Sequence, residues 1–411
     1  MVFRNGPEYK ARLRKPFTPP TVTFKEIHDA VPKHLLRKQP LTSTLYILRD
    51  LCISLLLYKF ASLIPGTKSL LKSGMWGAYW WFQGLMNAGI FCLGRHDAGH
   101  GTLYDSVVLN NIIGFILHSY LFVPYFAWRA THHAHHKATS SIERDENYVP
   151  YTRSIFPGLP DEKTATAADY SDVFQETPIY TVLHMFVMQG FGWWIYLTRN
   201  TMGSAAYPKG TNHFSPSSPL FKPSQRKYII LSNLGLCITA TVLLLLGRDF
   251  FLWCYFIPYV VIMFTYLHHS DPTIPHYRKK EWTFLRGAAA TVDRPLLGWI
   301  GRFFFHNISH DHVAHHFFLG APFYNGPEIT KAIKGVLKDD YNYDSTPAFY
   351  ALYRSFTQCL FIEDEGDIVF YKNKHGIAAR RVQEVGEGVG GELLDPGIEG
   401  QLEESAKRQA M

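Results

Sequence analysis

The chain has 411 residues, of which 15% are aromatic and only 18% are charged, below the roughly one quarter of charged residues usual in soluble domains. Its net charge of +7 is modest, and the basic residues concentrate in the first forty positions instead of forming a stripe along the chain. These numbers favour a membrane protein and argue against a nucleic-acid-binding domain.

Five cysteines occur at wide spacings and include no C-x-x-C pair. An odd number at such spacings argues against a disulfide framework and fits a reducing compartment. Four of the five lie in or beside apolar runs, so we interpret them as small buried side chains.

The two ends of the chain are polar. Residues 1–40 are basic and contain several prolines, which predicts a cytosolic arm near an anionic membrane surface, with no cleavable signal peptide. We predict that most of the first twenty residues are disordered. Residues 376–411 are rich in Glu and Gly and are predicted to form a disordered tail after a main domain at 41–375.

Four apolar runs are candidates for membrane spans. The run at 41–65 carries Arg49 and is the weakest, because a charge is costly in lipid. The run at 75–93 has nineteen residues without a charge, close to the ~20 residues that cross a bilayer. Runs 228–246 and 250–267 are the cleanest, and the short turn between them predicts a helical hairpin.

Three histidine-dense clusters occur in a chain that has twenty histidines. The first reads H-x-x-x-H, and the second and third read H-x-x-H-H. Residues at i, i+3 and i+4 lie on one helical face, so each cluster presents at least two imidazoles in the same direction. The histidines are His96, His100, His132, His135, His136, His312, His315 and His316.

A shared site constrains the topology, because all three clusters must then lie on the same side of the membrane. An even number of membrane crossings must then separate successive clusters. The single apolar run between the first two clusters, at 107–126, therefore does not cross the membrane, and its polar side chains support that placement. The hairpin at 228–267 supplies the next two crossings and leaves the run at 181–197 peripheral or re-entrant. We predict an all-α integral membrane protein with about four transmembrane helices, a cytosolic N-terminus and a cytosolic helical cap.

Eight imidazoles exceed the four ligands of a tetrahedral zinc site, so the clusters predict two metal ions. Neutral imidazole suits several metals, and donor type alone does not choose among them. Metals at the mouth of an apolar tunnel can reach an acyl chain, and attack on its C–H bonds needs activated oxygen and a redox metal. The alternatives are a zinc store and a scaffold without catalysis. The isolated His118, His184 and His213 are interpreted as structural.

The order of the clusters resembles that of the membrane-bound fatty acid desaturases and their hydroxylase relatives. The similarity to delta-12 (oleate) desaturases extends beyond the histidines and covers about residues 40–375. The segments that carry it are residues 128–139, 143–146, 149–150, 265–272, 274–277, 281–282, 285–288, 290–294, 305–308 and 312–317.

This resemblance implies an O2-dependent fatty acyl desaturase of the endoplasmic reticulum membrane with a non-haem di-iron centre. It implies that the eight cluster histidines bind iron and that His269 is a ninth ligand, with His268 as its rival and His306 as a further candidate ligand or hydrogen-bond donor. The acyl chain would be carried by phospholipid or CoA. Electrons would come from cytochrome b5 and its reductase as separate partners, because the chain has no His-Pro-Gly-Gly haem motif.

The first cluster departs from the family pattern. The family usually has His-Glu-Cys-Gly-His there, whereas this chain has Asp97 and Ala98 between the histidine and the glycine. Changes beside a metal alter ligand orientation and metal tuning. The leading prediction is a delta-12 double bond in an oleoyl chain, which gives linoleoyl. The alternative is an acetylenase or hydroxylase of the same family acting on an unsaturated chain.

Overall fold

The structure is a computed structural model that describes residues 3–64, 69–156, 177–246 and 260–383, with the backbone alone at 94–96 and 260–261. The described part is mostly helical, as predicted. Its helices are α1 Pro7–Leu13, α2 Phe24–Ala30, α3 Pro40–Ser62, α4 Leu70–Phe91, α5 Ala98–His100, α6 Val107–Tyr120, α7 Tyr125–Ala138, α8 Pro178–Arg199, α9 Arg226–Leu246, α10 Val260–His269, α11 Phe284–Ala289, α12 Trp299–Phe304, α13 His312–Phe317, α14 Gly326–Leu337 and α15 Ala348–Gln358.

Shorter elements connect these helices. A π-helix, Cys92–Asp97, follows α4, and 3-10 turns occur at Lys33–Leu36, Pro223–Gln225, Phe323–Asn325 and Lys338–Asp340. The only strands of the described part, β1 His276–Tyr277 and β2 Ile368–Val369, form a short antiparallel pair. The pair joins two distant loops and leaves the fold helical.

Two helices of the described part are long and apolar enough to cross a membrane: α3, and the segment Pro223–Leu246 that contains α9. The pair α6–α7, bent by 110°, is a third candidate. The sequence predicts that the run at 75–93 is a better candidate for a membrane span than the run at 41–65. This order is wrong, because α4 is absent from this set and buries residues 83–90 within the protein. Most of the predicted span at 250–267 lies outside the described residues.

α3 accommodates the charges that weaken its prediction from sequence. Asp50 is only 1% exposed, and it accepts hydrogen bonds from Arg49 and from His306. The neighbouring Leu55 and Leu56 are 66% and 68% exposed, which is the arrangement expected of a helix that turns its apolar side to lipid. A buried ion pair inside and leucines outside therefore make α3 a suitable membrane helix.

The N-terminal arm packs against distant parts of the chain, so the predicted disorder of the first twenty residues is wrong from Phe3 onwards. Tyr9 and Phe17 are 3% and 7% exposed, and the Nε of Arg12 donates to the Oγ1 of Thr273 at 2.8 Å. Local composition could not reveal this, because the partners of Arg12 lie some 260 positions further along the chain. The predicted tail at 376–411 lies mostly outside the described residues.

A buried ionic cluster anchors the chain just after α10. Both Arg294 and Arg354 donate to Asp344 at 2.6 Å, and they also reach Asp271 at 2.6 and 3.1 Å. Burial by itself raises the pKa of Asp344, but the two guanidinium groups outweigh burial and lower it. Because Asp271 follows His269 by two residues, the cluster holds the end of α10 in place.

Candidate metal centre

The second and third histidine clusters lie on helices, which confirms the helical spacing predicted for them. His132, His135 and His136 belong to α7, and His312, His315 and His316 belong to α13. A core of apolar residues packs α13 against α2, α11 and α14. The buried members of that core include Ile27, Ala288, Val313, Phe317, Ile329 and Ile333. The helix that carries the third cluster is therefore fixed by its packing against these three helices.

The first cluster follows α4 without a break, but its first part is a π-helix and not the regular α-helix that the i, i+4 spacing predicts. The π-helix Cys92–Asp97 carries His96, and α5 carries His100. π-helical turns inside α-helices are rare and occur frequently at functional sites. The side chain of His96 lies outside the described part, whereas the ring of His100 lies 4.8–5.1 Å from those of His132, His133, His136 and His315.

Two groups of imidazole nitrogens converge at the junction of α5, α7, α10 and α13. In the first group, ligand atoms of His100, His132, His136 and His315 all lie within 4.8 Å of one another. The Nε2 atom of His136 is 3.0 Å from the Nε2 atoms of both His132 and His315. This group joins all three sequence clusters.

The second group consists of His135, His269 and His316, whose ligand atoms also lie within 4.8 Å of one another. His312 belongs beside it, since its Nε2 is 3.0 Å from that of His269 and 3.1 Å from that of His316. The structure thus brings together eight of the nine histidines considered as ligands, in two sets of four.

The donor geometry fits bound metal ions. The Nε2 of His136 has two imidazole nitrogens at 3.0 Å, and a single N–H can serve only one of them. The same holds for the Nε2 of His312. Metal–imidazole bonds of about 2.0–2.1 Å at right angles place two nitrogens about 3 Å apart, as found here. The Nε2 of His135 is buried without a hydrogen-bond partner in the described part, as expected of a ligand atom.

Hydrogen bonds on the far side of the rings set which nitrogen faces the centre. The Nδ1–H of His135 donates to Asp145 at 2.6 Å, so its Nε2 lone pair points inwards. Thr139 donates its own hydroxyl to the carbonyl of His135 and therefore accepts from the Nδ1–H of His316 at 3.1 Å. Such partners orient metal ligands and increase their basicity.

Asp145 and Tyr148 are functional candidates that the sequence reasoning missed. Asp145 also accepts from the backbone of Ser140 and Asn147, which rigidifies the loop after α7. The ring of Tyr148 stacks on that of His269 with centroids 4.8 Å apart. The sequence signal for Asp145 is its place in the similar segment 143–146, but similarity alone does not reveal which of its acids is buried.

The two other candidates for this ligand position, His268 and His306, have different partners. The Nδ1–H of His268 donates to the carbonyl of Val292 at 2.5 Å, and its ring stacks on His312. His306 belongs to neither group and bonds Asp50 instead. Of the three histidines left open by the sequence, only His269 has its ligand atom among the converging nitrogens.

The environment favours neutral imidazoles, which is the form that binds metal. Burial lowers the pKa of His312 well below its ordinary value, and the neighbouring His268 and His316 lower it further. Two sets of converging imidazoles, buried or half-buried and lying beside apolar helices, define a candidate polyhistidine metal site in a membrane-associated protein.

Comparison with known proteins identifies the family to which the chain is similar. The family model described as fatty acid desaturase matches residues 74–347, more than half of the chain. A delta-12 fatty acid desaturase of Mortierella isabellina is 39% identical over 378 residues, which are 88% of this chain and 94% of that protein. An oleate hydroxylase of Claviceps purpurea is 35% identical over 89% of this chain and 84% of its own length. An oleoyl-12-hydroxylase of Ricinus communis is 35% identical over 88% and 93%.

The chain belongs to the fatty acid desaturase family. The resemblance drawn from the order and surroundings of its histidine clusters is confirmed, and the chain is an oxidoreductase of that family. The converging imidazoles of the cap accordingly form its candidate active site.

Proposed function

We propose that the protein introduces a delta-12 double bond into oleoyl chains of membrane lipids and so forms linoleoyl chains. The observation that carries this proposal is the joint presence of the two imidazole groups and a 39% identical relative named as a delta-12 desaturase. The substrate is an acyl chain attached to phospholipid or CoA. O2 is the oxidant, and cytochrome b5 with its reductase supplies the electrons.

The metals of this proposal are two iron ions. His100, His132, His136 and His315 hold one, and His135, His269, His312 and His316 hold the other. His96 completes the proposed set from the first cluster. When bound, iron supplies the O2-dependent oxidation of an unactivated C–H bond, a reaction for which redox-inactive zinc is unsuited. The chain's own contribution is to bring the imidazoles together and to orient them.

The proposed topology has four spans: α3, α4, α9 and the segment that ends in α10. Convergence of all three clusters supports it, because one site requires them on one face of the membrane. We place that face and the basic N-terminus in the cytosol and the protein in the endoplasmic reticulum, where cytochrome b5 can reach the cap.

Hydroxylation is the second candidate activity, with triple-bond formation as its variant. Two relatives at 35% identity are named as oleate or oleoyl hydroxylases, so overall similarity does not separate the outcomes. The altered first cluster is the reason to keep hydroxylation as an alternative, because residues beside a metal tune its chemistry. Its Asp97 is buried and accepts a hydrogen bond from Thr102 at 3.1 Å, which fixes the loop after His100.

Expression in a yeast that makes oleate but no linoleate tests the proposal. Gas chromatography with mass spectrometry of the total fatty acids is expected to show linoleate, and cells with the empty vector are the control. A hydroxylated C18 acid instead would support the second activity, and an acetylenic acid formed only after linoleate feeding would support its variant. No new acid across several chain lengths would contradict all three.

A further inference from the structure

A second buried polar cluster lies outside both imidazole groups, where α3 meets the loop before α13. The Nε2–H of His306 donates to Asp50 at 2.6 Å, and both side chains are 1% exposed. The Nε of Arg49 donates to the other carboxylate oxygen of Asp50 at 2.8 Å. Ionisable residues in a membrane helix are costly and usually mark a function.

The backbone around this pair is shaped for it. His306 and Asn307 have φ values of +49° and +66°, which residues other than glycine rarely adopt. α4 approaches closely through Gly89, where an added Cβ would lie 2.3 Å from the carbonyl oxygen of Phe304 and 3.4 Å from the Nε2 of His306. Strain and a required glycine indicate that the position of His306 is maintained for a purpose.

His306 shares a cleft with the metal centre. The cleft is partly open to solvent, and His306, His315 and Asp97 all line it. The Nδ1 of His306 is buried and has no hydrogen-bond partner among the described residues. The Nε2 of His306 is therefore hydrogen-bonded to a carboxylate, while its Nδ1 remains available. A histidine in this arrangement can transfer protons.

The family's reaction creates a need for protons. Desaturation converts –CH2–CH2– and O2, with two electrons and two protons, into –CH=CH– and two molecules of water. The acyl chain supplies two of the four hydrogens that end in water, and the reductase chain supplies the electrons. The remaining two protons come from solvent and must be delivered to the metal centre.

We propose that His306 and Asp50 relay these protons through the cleft to the metal centre. The proposal rests on the oxidative function proposed above, and it applies equally to hydroxylation, which also consumes two protons with O2. In each transfer the Nδ1 of His306 takes up a proton that enters the cleft from solvent, and Asp50 balances the charge of the imidazolium that forms. The Nδ1 then releases that proton towards the metal centre, which returns the pair to its starting state.

The charges that face the pair fit this role. Arg49 on α3 balances Asp50, and Tyr46 and Phe323 pack against the ring of His306 at 5.6 and 4.9 Å between centroids. Tyr324, in the same 3-10 turn as Phe323, stacks on Tyr46 with ring centroids 6.3 Å apart. The cleft itself presents Asp97, Asp311 and His315. Neither His306 nor Asp50 belongs to the two imidazole groups, so the relay can be altered without removing a proposed ligand.

Membranes containing the full-length chain with cytochrome b5 and its reductase provide the test, with Asp50→Asn, His306→Gln and the double variant. We expect an unchanged amount of protein and iron, an unchanged KM for the acyl substrate, and a kcat lowered by about a hundredfold, the usual size of an acid–base contribution. The loss should shrink at lower pH, and the double variant should be no slower than either single one. His184→Gln, on the exposed face of α8, is the control.

A second readout needs no iron. In the purified metal-free protein, infrared spectra in H2O and D2O should contain a carboxylate band that Asp50→Asn removes and His306→Gln shifts. Wild-type kcat in both single variants would overturn the relay, as would loss of iron or protein, which would identify a structural clamp. An Asp50 band unaffected by His306→Gln would overturn it too. If the unaltered chain forms no product, the proposed function fails, and the relay fails with it.

Discussion

Replacing His136 with alanine is expected to abolish product formation and to lower the iron content of the purified protein. The Nε2 of His136 lies 3.0 Å from those of both His132 and His315, so it is the central nitrogen of the first group. Its loss removes one ligand and leaves the two others without the neighbour that spaces them. We expect product below detection, a decrease of at least about a thousandfold, since metal-dependent activation of oxygen supplies most of the rate.

The control for this prediction is His34→Ala, on an exposed turn of the N-terminal arm, which should retain activity and iron. Measuring metal and product in the same membranes distinguishes loss of metal from loss of fold. A His136→Ala protein that accumulates normally, keeps all its iron and still forms product would contradict the assignment of this histidine as a ligand.

The second large effect is expected from Asp145→Asn. The carboxylate accepts the Nδ1–H of His135 at 2.6 Å and thereby keeps the Nε2 lone pair directed at the centre. An amide can donate to Nδ1, which places the ring proton on Nε2 and blocks metal binding at that atom. Loss of such an outer partner typically costs about 10- to 100-fold in metal affinity or activity.

Iron per chain and the rate of product formation, measured across a range of added iron, check this prediction. Activity of the Asp145→Asn protein should partly recover at high iron, because affinity rather than the full ligand set is impaired. Glu143→Gln is the matched control two residues away, on a half-exposed acid that faces Arg278 at 3.7 Å. Equal effects of the two substitutions would show that the loop, and not the tautomer of His135, is what matters.

The sequence sufficed for the parts of the site that repeat at helical spacing. The H-x-x-H-H patterns predict the ligand faces of α7 and α13, and a site shared by the three clusters requires them to lie on one side of the membrane. Convergence of His100 with His136 and His315 agrees with that reasoning. The choice of His269 over His268 required coordinates, because adjacent residues on one helix end differ only in the direction of the ring.

Features that depend on distant partners escaped the sequence. The π-helix before His100 leaves no periodic signal, and the buried Asp145 looks like any acid in a polar loop. Asp50 reads as a defect in an apolar run until His306, 256 positions away, is placed beside it. Likewise the arm that contains Arg12 looks disordered in the sequence, because a partner such as Thr273 lies 261 positions further along the chain. Long-range pairing of polar groups, not local propensity, decides each case.

Metal analysis of the purified full-length protein tests the central claim most directly. The chain should be extracted from membranes, purified in lipid nanodiscs and analysed by mass spectrometry of its elements beside a protein assay. Two converging sets of imidazoles predict about two iron ions per chain, with little zinc, in protein that desaturates oleoyl chains. Zinc in place of iron, or a single metal per chain in fully active protein, would contradict the di-iron centre.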